Sequence, residues 1–147
     1  MQYIGNIMFK LFQLEEANKL LPAIEIFIKS IKEKKKELVF KLGDIRRYQR
    51  ENTALGISKK DKFLMAEQQQ AVVSLEKELL ELINAVENLG CCVKDLDEGL
   101  IDFPTIIDRN AAYLCWKIGE SEIKFWHGVE EGYKGRKPLS LINKDKK

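Results

Sequence analysis

Between Leu14 and Leu89 the apolar residues return every three or four positions, and after Gly90 they return every second one. That change of period limits the chain to a helical half followed by a sheet, an α+β fold. The first helical stripe is Ala17, Leu20, Leu21, Ile24, Phe27, Ile28, Ile31, Leu38, Leu42 and Ile45, which predicts one long helix to about residue 51. Pro22 has no amide hydrogen and its ring meets the carbonyl four residues back, so a short first helix or a kink is expected there. The segment from Asn52 to Ile57 breaks the pattern, and Ser58 followed by Asp61 reads as the N-cap of a second helix over about 59–89. Met65, Val72, Leu75, Leu79, Leu82, Val86 and Leu89 form a heptad seam, with Gln68 at one position, and Gly90 ends it.

Two helices of roughly 45 Å joined by a short loop form an antiparallel, coiled-coil-like hairpin. Each is apolar over a wider arc than one partner covers. Leu21, Ile28 and Leu42 flank the first seam, and Val73, Leu80 and Ile83 flank the second. Either the C-terminal region or a second copy of the hairpin would cover those flanks, and since a small sheet cannot reach the hairpin's far end, a homodimer is expected. At the loop end Lys41, Arg46, Arg47, Arg50, Lys59, Lys60 and Lys62 outnumber Asp44, Glu51 and Asp61, and this reads as a solvated tip with local ion pairing.

The sheet half is predicted as an antiparallel meander of three to four strands over 91–127. Val93–Leu96 and Leu100–Phe103 flank the loop Asp97-Glu98-Gly99, Pro104 limits the second strand, and Asp108-Arg109-Asn110 turns the chain. Residues 112–118 alternate, and a turn at 119–122 leads into Ile123–His127. This register sets Ile118 opposite Ile123, Trp116 opposite Phe125 and Leu114 opposite His127. Cys115 then faces away from His127 and cannot form a dyad with it. Residues 128–147 are expected to be irregular with a frayed tail at 144–147, and the whole of 1–147 forms one domain.

Composition narrows the function classes. A net charge of +2, with 25 Lys and Arg against 23 Asp and Glu, gives no ground for a nucleic-acid surface. No apolar run is long enough to span a bilayer, and the start has no signal-peptide pattern, so a cytoplasmic protein is expected. Cys91, Cys92 and Cys115 form neither a disulfide framework nor a CxxC motif. With a single histidine, a multi-histidine metal site within one chain is excluded.

The motifs Phe12–Asn18 with Leu20-Leu21-Pro22, Gly90–Pro104, Tyr113-Leu114-Cys115-Trp116-Lys117 with Gly119-Glu120, Phe125-Trp126-His127, and Gly135-Arg136 with Pro138-Leu139 resemble the bacterial and archaeal DUF2203 family. The family is named for its unknown function, and the resemblance covers nearly the whole chain. Two departures stand out. Gln13 occupies a position where the family often has a capping threonine, and Gly128 one where an acidic residue often follows the histidine. The resemblance implies a fold but no reaction.

His127 is the one candidate general base near neutral pH. With Asp102, Arg109, Glu120, Tyr133 and Arg136 it forms a candidate ligand site on the sheet, and Glu130 and Glu131 join it as candidate metal ligands. No catalytic residue and no cofactor are assigned. Two readings follow. The first is a non-enzymatic cytosolic module that self-associates through its helices and docks a protein partner. The alternative is a protein binding a small molecule, an anion or a divalent metal around His127 and Arg136.

Overall fold

The computed structural model describes residues 2–4, 7–52, 56 and 58–142. Two strands, β1 (Gln2–Ile4) and β2 (Ile7–Phe9), pair antiparallel. Two helices follow, α1 (Leu14–Asn52) and α2 (Lys59–Glu87), and form the expected hairpin. Five further strands complete the fold: β3 (Cys92–Asp95), β4 (Leu100–Ile107), β5 (Asn110–Lys117), β6 (Phe125–Gly128) and β7 (Lys137–Pro138). They form one antiparallel sheet in chain order, a five-stranded meander where three or four strands were expected. Two compact units are distinguished, residues 1–28 with 84–147, and residues 29–83.

In the second unit the side-chain pairs between the helices read antiparallel. Lys34 Nζ lies 2.6 Å from Glu78 Oε2, Lys41 Nζ reaches Gln68 Oε1 at 3.5 Å, and Tyr48 donates to Asp61. Ile31, Val72 and Leu75 are its buried residues. Ser58 caps α2 as expected, its Oγ accepting from the amide of Asp61 at 3.1 Å. Thr53, Ala54, Leu55 and Ile57, within the expected loop, lie outside the described residues, as does the tail 144–147.

In the first unit α1 runs unbroken through Pro22, so the expected short first helix is not formed. Leu21 and Ile24, on either side of the proline, and Ala17 and Ile28 beyond them, are buried while Pro22 itself is exposed. Their burial offsets the missing hydrogen bond, which costs ~3 kcal/mol in a helix interior. The start of α1 is capped without a threonine. Glu16 Oε1 accepts from the Gln13 amide at 3.3 Å, which is half of a capping box. After α2, Gly90 with φ +103° ends the helical run as expected.

One face of the sheet is its apolar side. Ile101, Phe103, Leu114 and Trp116 are buried there, and Phe12 meets Phe103 edge to face with ring centroids 5.2 Å apart. The strand β4 continues past Pro104 to Ile107, against the expectation that the proline would end it. The pairing of β3 stops at Asp102, so the edge at residue 104 needs no amide donor from β4. The Pro104 carbonyl on that edge accepts instead from the Phe12 amide at 2.7 Å.

The register of β5 with β6 differs by one residue from the expected one. Tyr113, not Leu114, pairs with His127, and Cys115 pairs with Phe125. Neither Ile118 nor Ile123 joins the ladder. The Trp116 indole N–H finds an acceptor in the Glu120 carbonyl at 2.9 Å, and the Ile123 amide donates to Asn18 Oδ1 of α1 at 2.8 Å. These two bonds hold residues 118–124 as a wide loop, and a wide loop resets the strand that follows it. Because side chains alternate with a period of two, the shift moves His127 to the other face.

Candidate ligand site

The face opposite the apolar core carries Leu100 and Asp102 from β4, Tyr113, Cys115 and Lys117 from β5, and Phe125 and His127 from β6. Asp102, Cys115 and His127 expose 2%, 1% and 4% of their surfaces. A free cysteine is often this buried, but a carboxylate and an imidazole rarely are without a partner. Among the described residues these three form the one convergent set of histidine, cysteine and carboxylate groups, with donor atoms all within 4.8 Å of one another. The expectation that Cys115 faces away from His127 is therefore overturned, and the one-residue register shift is the reason.

The protonation pattern follows from the partners. His127 Nδ1 lies 2.9 Å from the Gly128 carbonyl, which can only accept, so Nδ1 carries a hydrogen. Nε2 lies 2.9 Å from Asp102 Oδ2, and a contact this short between two acceptor-capable atoms holds one proton between them. Both ring nitrogens are thus engaged, which leaves no nitrogen free to take a proton from a substrate. Burial, and next the neighbouring Asp102 carboxylate, push the Cys115 thiol up to about 12. Near neutral pH it is a thiol and not a nucleophile. All three cysteines are free.

A second pair lies near the first. Arg136 donates to Glu120 Oε2 at 2.5 Å, and its guanidinium stacks on Phe125 at 3.8 Å and on Tyr133 at 4.9 Å from the ring centroids. Phe125 stands two residues before His127 on β6, so the clamp grips the strand that presents the histidine. Glu120 Oε1 also accepts from the Lys117 amide at 2.6 Å and fixes the end of β5. Tyr133 and Arg136, within a stretch expected to be irregular, are ordered by a 3-10 turn at Tyr133–Gly135 and by β7.

A cleft of about 290 Å³ opens over the trio, and Lys94, Tyr113, Val129, Glu131 and Tyr133 are among its walls. Of the residues singled out from sequence, Asp102 and His127 meet at its floor and Tyr133 stands in its wall. Glu120 and Arg136 brace it from the side. Arg109 does not take part: with Asp108 it forms the exposed β4–β5 turn, both at positive φ. Glu130 is exposed, while Glu131 lines the cleft and pairs with Lys137 Nζ at 2.8 Å. Gly128 and Gly135 leave room for that carboxylate, because a Cβ at either position would meet a Glu131 oxygen within 3 Å. Lys94, Tyr113 and Cys115 are among the site residues that strand alternation alone did not point to.

The span of similarity to known proteins includes all of these residues. The family model described as an uncharacterised conserved protein, DUF2203, matches residues 10–139. The chain belongs to the DUF2203 family. No curated protein and no solved structure matches it. In this DUF2203 chain the matched span takes in both helices, β3 to β7, the Asp102–His127 pair and the Glu120–Arg136 clamp. No helix among the described residues is long and apolar enough to cross a membrane.

Proposed function

We propose that this DUF2203 protein binds a small polar ligand in the cleft over Asp102, Cys115 and His127, and that the site is built for binding and not for proton transfer from His127. One observation carries the reading: a carboxylate–imidazole pair is buried at the floor of a cleft of about 290 Å³. The other buried polar contacts of this unit have evident structural duties. Thr105 donates to the Phe12 carbonyl at 2.7 Å, and Asn18 holds Ile123. Asp102 and His127 answer mainly to each other, and fold stability alone rarely requires a buried carboxylate–imidazole pair. The walls carry both signs, Lys94 on one side and Asp95 and Glu131 on others, which suits a zwitterionic or metal-chelating molecule of metabolite size. A thermal-shift screen with nucleotides, phosphorylated metabolites, amino acids and dicarboxylates tests it. Ligand-induced stabilisation should appear in the native chain and disappear in Lys94→Ala and Tyr133→Ala. An equal response in the native chain and both wall variants, or no response to any class, overturns the reading.

A second reading, self-association through the hairpin, is favoured by its exposed apolar residues. Phe40 is 71% exposed, Val39 61%, Leu80 60% and Val73 56%. Leu21 and Ile28, expected to need a further surface from the C-terminal region or a second chain, are buried within the chain itself, so Val73 and Leu80 are the flanking residues that still favour a partner. Light scattering tests it: a dimer at micromolar concentration supports self-association, and a monomer ends this reading.

A further inference from the structure

We infer that Asp102, Cys115 and His127 form a coordination site for a divalent transition ion of the zinc class, and that the cleft ligand completes the coordination shell. The inference rests on the cleft being a binding site, and it names what stands at its floor.

The donor set fits such an ion. Binding the ion would displace the Cys115 thiol proton and the proton shared by Asp102 and His127 to solvent, and the resulting thiolate, imidazole and carboxylate together suit zinc and its neighbours, whereas magnesium and calcium prefer oxygen donors alone. The geometry around the histidine is that of a metal ligand. In most histidine sites one ring nitrogen binds the ion while the other donates to a backbone carbonyl or a carboxylate. Here Nδ1 donates to the Gly128 carbonyl at 2.9 Å, which directs Nε2 toward Asp102. Gly128 O accepts from the Glu131 amide as well, at 3.1 Å, so this anchor is itself held in place.

Each ligand comes from a different neighbouring strand, β4, β5 and β6. Asp102 pairs directly across the ladder with Cys115, and His127 lies one diagonal step from it. A ladder fixes its Cβ positions closely, so the three donors are preorganised. Bonds of roughly 2.0–2.2 Å at a tetrahedral ion set nitrogen and oxygen about 3.3 Å apart. Nε2 and Oδ2 are 2.9 Å apart, so the ion needs an opening of about 0.4 Å. Side-chain rotation supplies that much. The trio leaves one tetrahedral position, and all three side chains line the cleft, which is where a fourth donor from a bound molecule would enter. Three protein ligands and an open position form the pattern of exchangeable zinc sites and not of closed structural ones.

Titration of the tag-free chain with Co²⁺ tests this directly. One equivalent should produce visible ligand-field bands and an ultraviolet thiolate-to-cobalt charge-transfer band. The double variant Cys91→Ser, Cys92→Ser should keep both, and Cys115→Ser should lose the charge-transfer band. Should Cys115→Ser fail to fold, X-ray absorption on the zinc-loaded native chain still decides. One sulfur with nitrogen and oxygen ligands supports the site, whereas two sulfurs, or none, overturn it. Absence of any cobalt spectrum also overturns it. In that case a ligand response that depends on Lys94 and Tyr133 would leave the cleft as a binding site without a metal, so the two failures are distinguishable.

Discussion

The hairpin unit and the sheet unit handle polarity in opposite ways. Over residues 29–83 the charged groups pair at the solvent-exposed surface, as in Lys34–Glu78 and Arg47–Asp44. Around the sheet the few polar groups that enter the interior are fully partnered. Among the described residues no buried side-chain nitrogen or oxygen lacks a hydrogen bond. The difference teaches where substitution should be felt, because exposed pairs contribute little and buried ones cost heavily once broken.

The largest contrast is apolar. Trp116→Ala should cost about 3–5 kcal/mol in denaturant unfolding, because the ring is 1% exposed and its indole N–H is bonded. Phe40→Ala on the hairpin, at 71% exposure, should stay within about 0.5 kcal/mol. A large loss at Phe40 would break the comparison, and it would mean that a second chain covers that ring.

Next in size comes the buried pair. Asp102→Ala leaves His127 Nε2 facing a void and should cost about 3 kcal/mol, the low end for such a loss because Nδ1 keeps its carbonyl. Lys34→Ala should leave the unfolding midpoint unchanged, and so should added salt. If both variants unfold alike, the Asp102–His127 pair does not have the weight that its burial implies.

The helices were legible because their signal is redundant. Ten residues at a 3.6 period outvote one proline, and Ser58 with Asp61 marks the start of α2 as its cap. The sheet was legible in its strands and less so in its register. A period of two states which residues alternate but not which partner each one faces, so an error of a single residue exchanges the faces and hides Cys115 from His127. What decides the register is tertiary: the indole of Trp116 seeks a carbonyl, and Asn18 of α1 draws Ile123 out of the ladder. The strand β7 escaped because its two residues carry no period at all, and β1 with β2 were missed although two short apolar runs flank Gly5-Asn6, a hairpin signature.

Cys91 sharpens the comparison through pH. Burial, above all, pushes its thiol up to about 12, and Sγ donates to the Val86 carbonyl at 3.3 Å. The native state therefore holds this proton more tightly than the unfolded chain, whose thiol stays at the ordinary 9.0. The stabilisation is complete below that value and drains away as pH rises from 9.0 toward about 12. The slope is about 1.4 kcal/mol per pH unit. Urea unfolding at a series of alkaline pH values should show a steeper loss in the native chain than in Cys91→Ala, which keeps only the share that the buried Cys115 thiol contributes. An identical alkaline slope in both would mean that the thiol is not shielded as its burial requires.

The smallest effects set two glycines against each other. Gly99 ends the β3–β4 turn at φ +67°, and a Cβ there would lie 2.3 Å from Ile118 Cγ2, so Gly99→Ala meets both backbone strain and a collision. It should destabilise by about 1–2 kcal/mol. Gly43 sits inside α1 with nothing within 4 Å of an added Cβ. A helix-interior glycine surrenders more backbone entropy than alanine, so Gly43→Ala should stabilise by about 0.5–1 kcal/mol. Thermal unfolding of the two variants reads opposite signs from the same chemical change. A destabilising Gly43→Ala would require something packed against that turn of the hairpin, and a second chain lying along it is the occupant that light scattering would then detect.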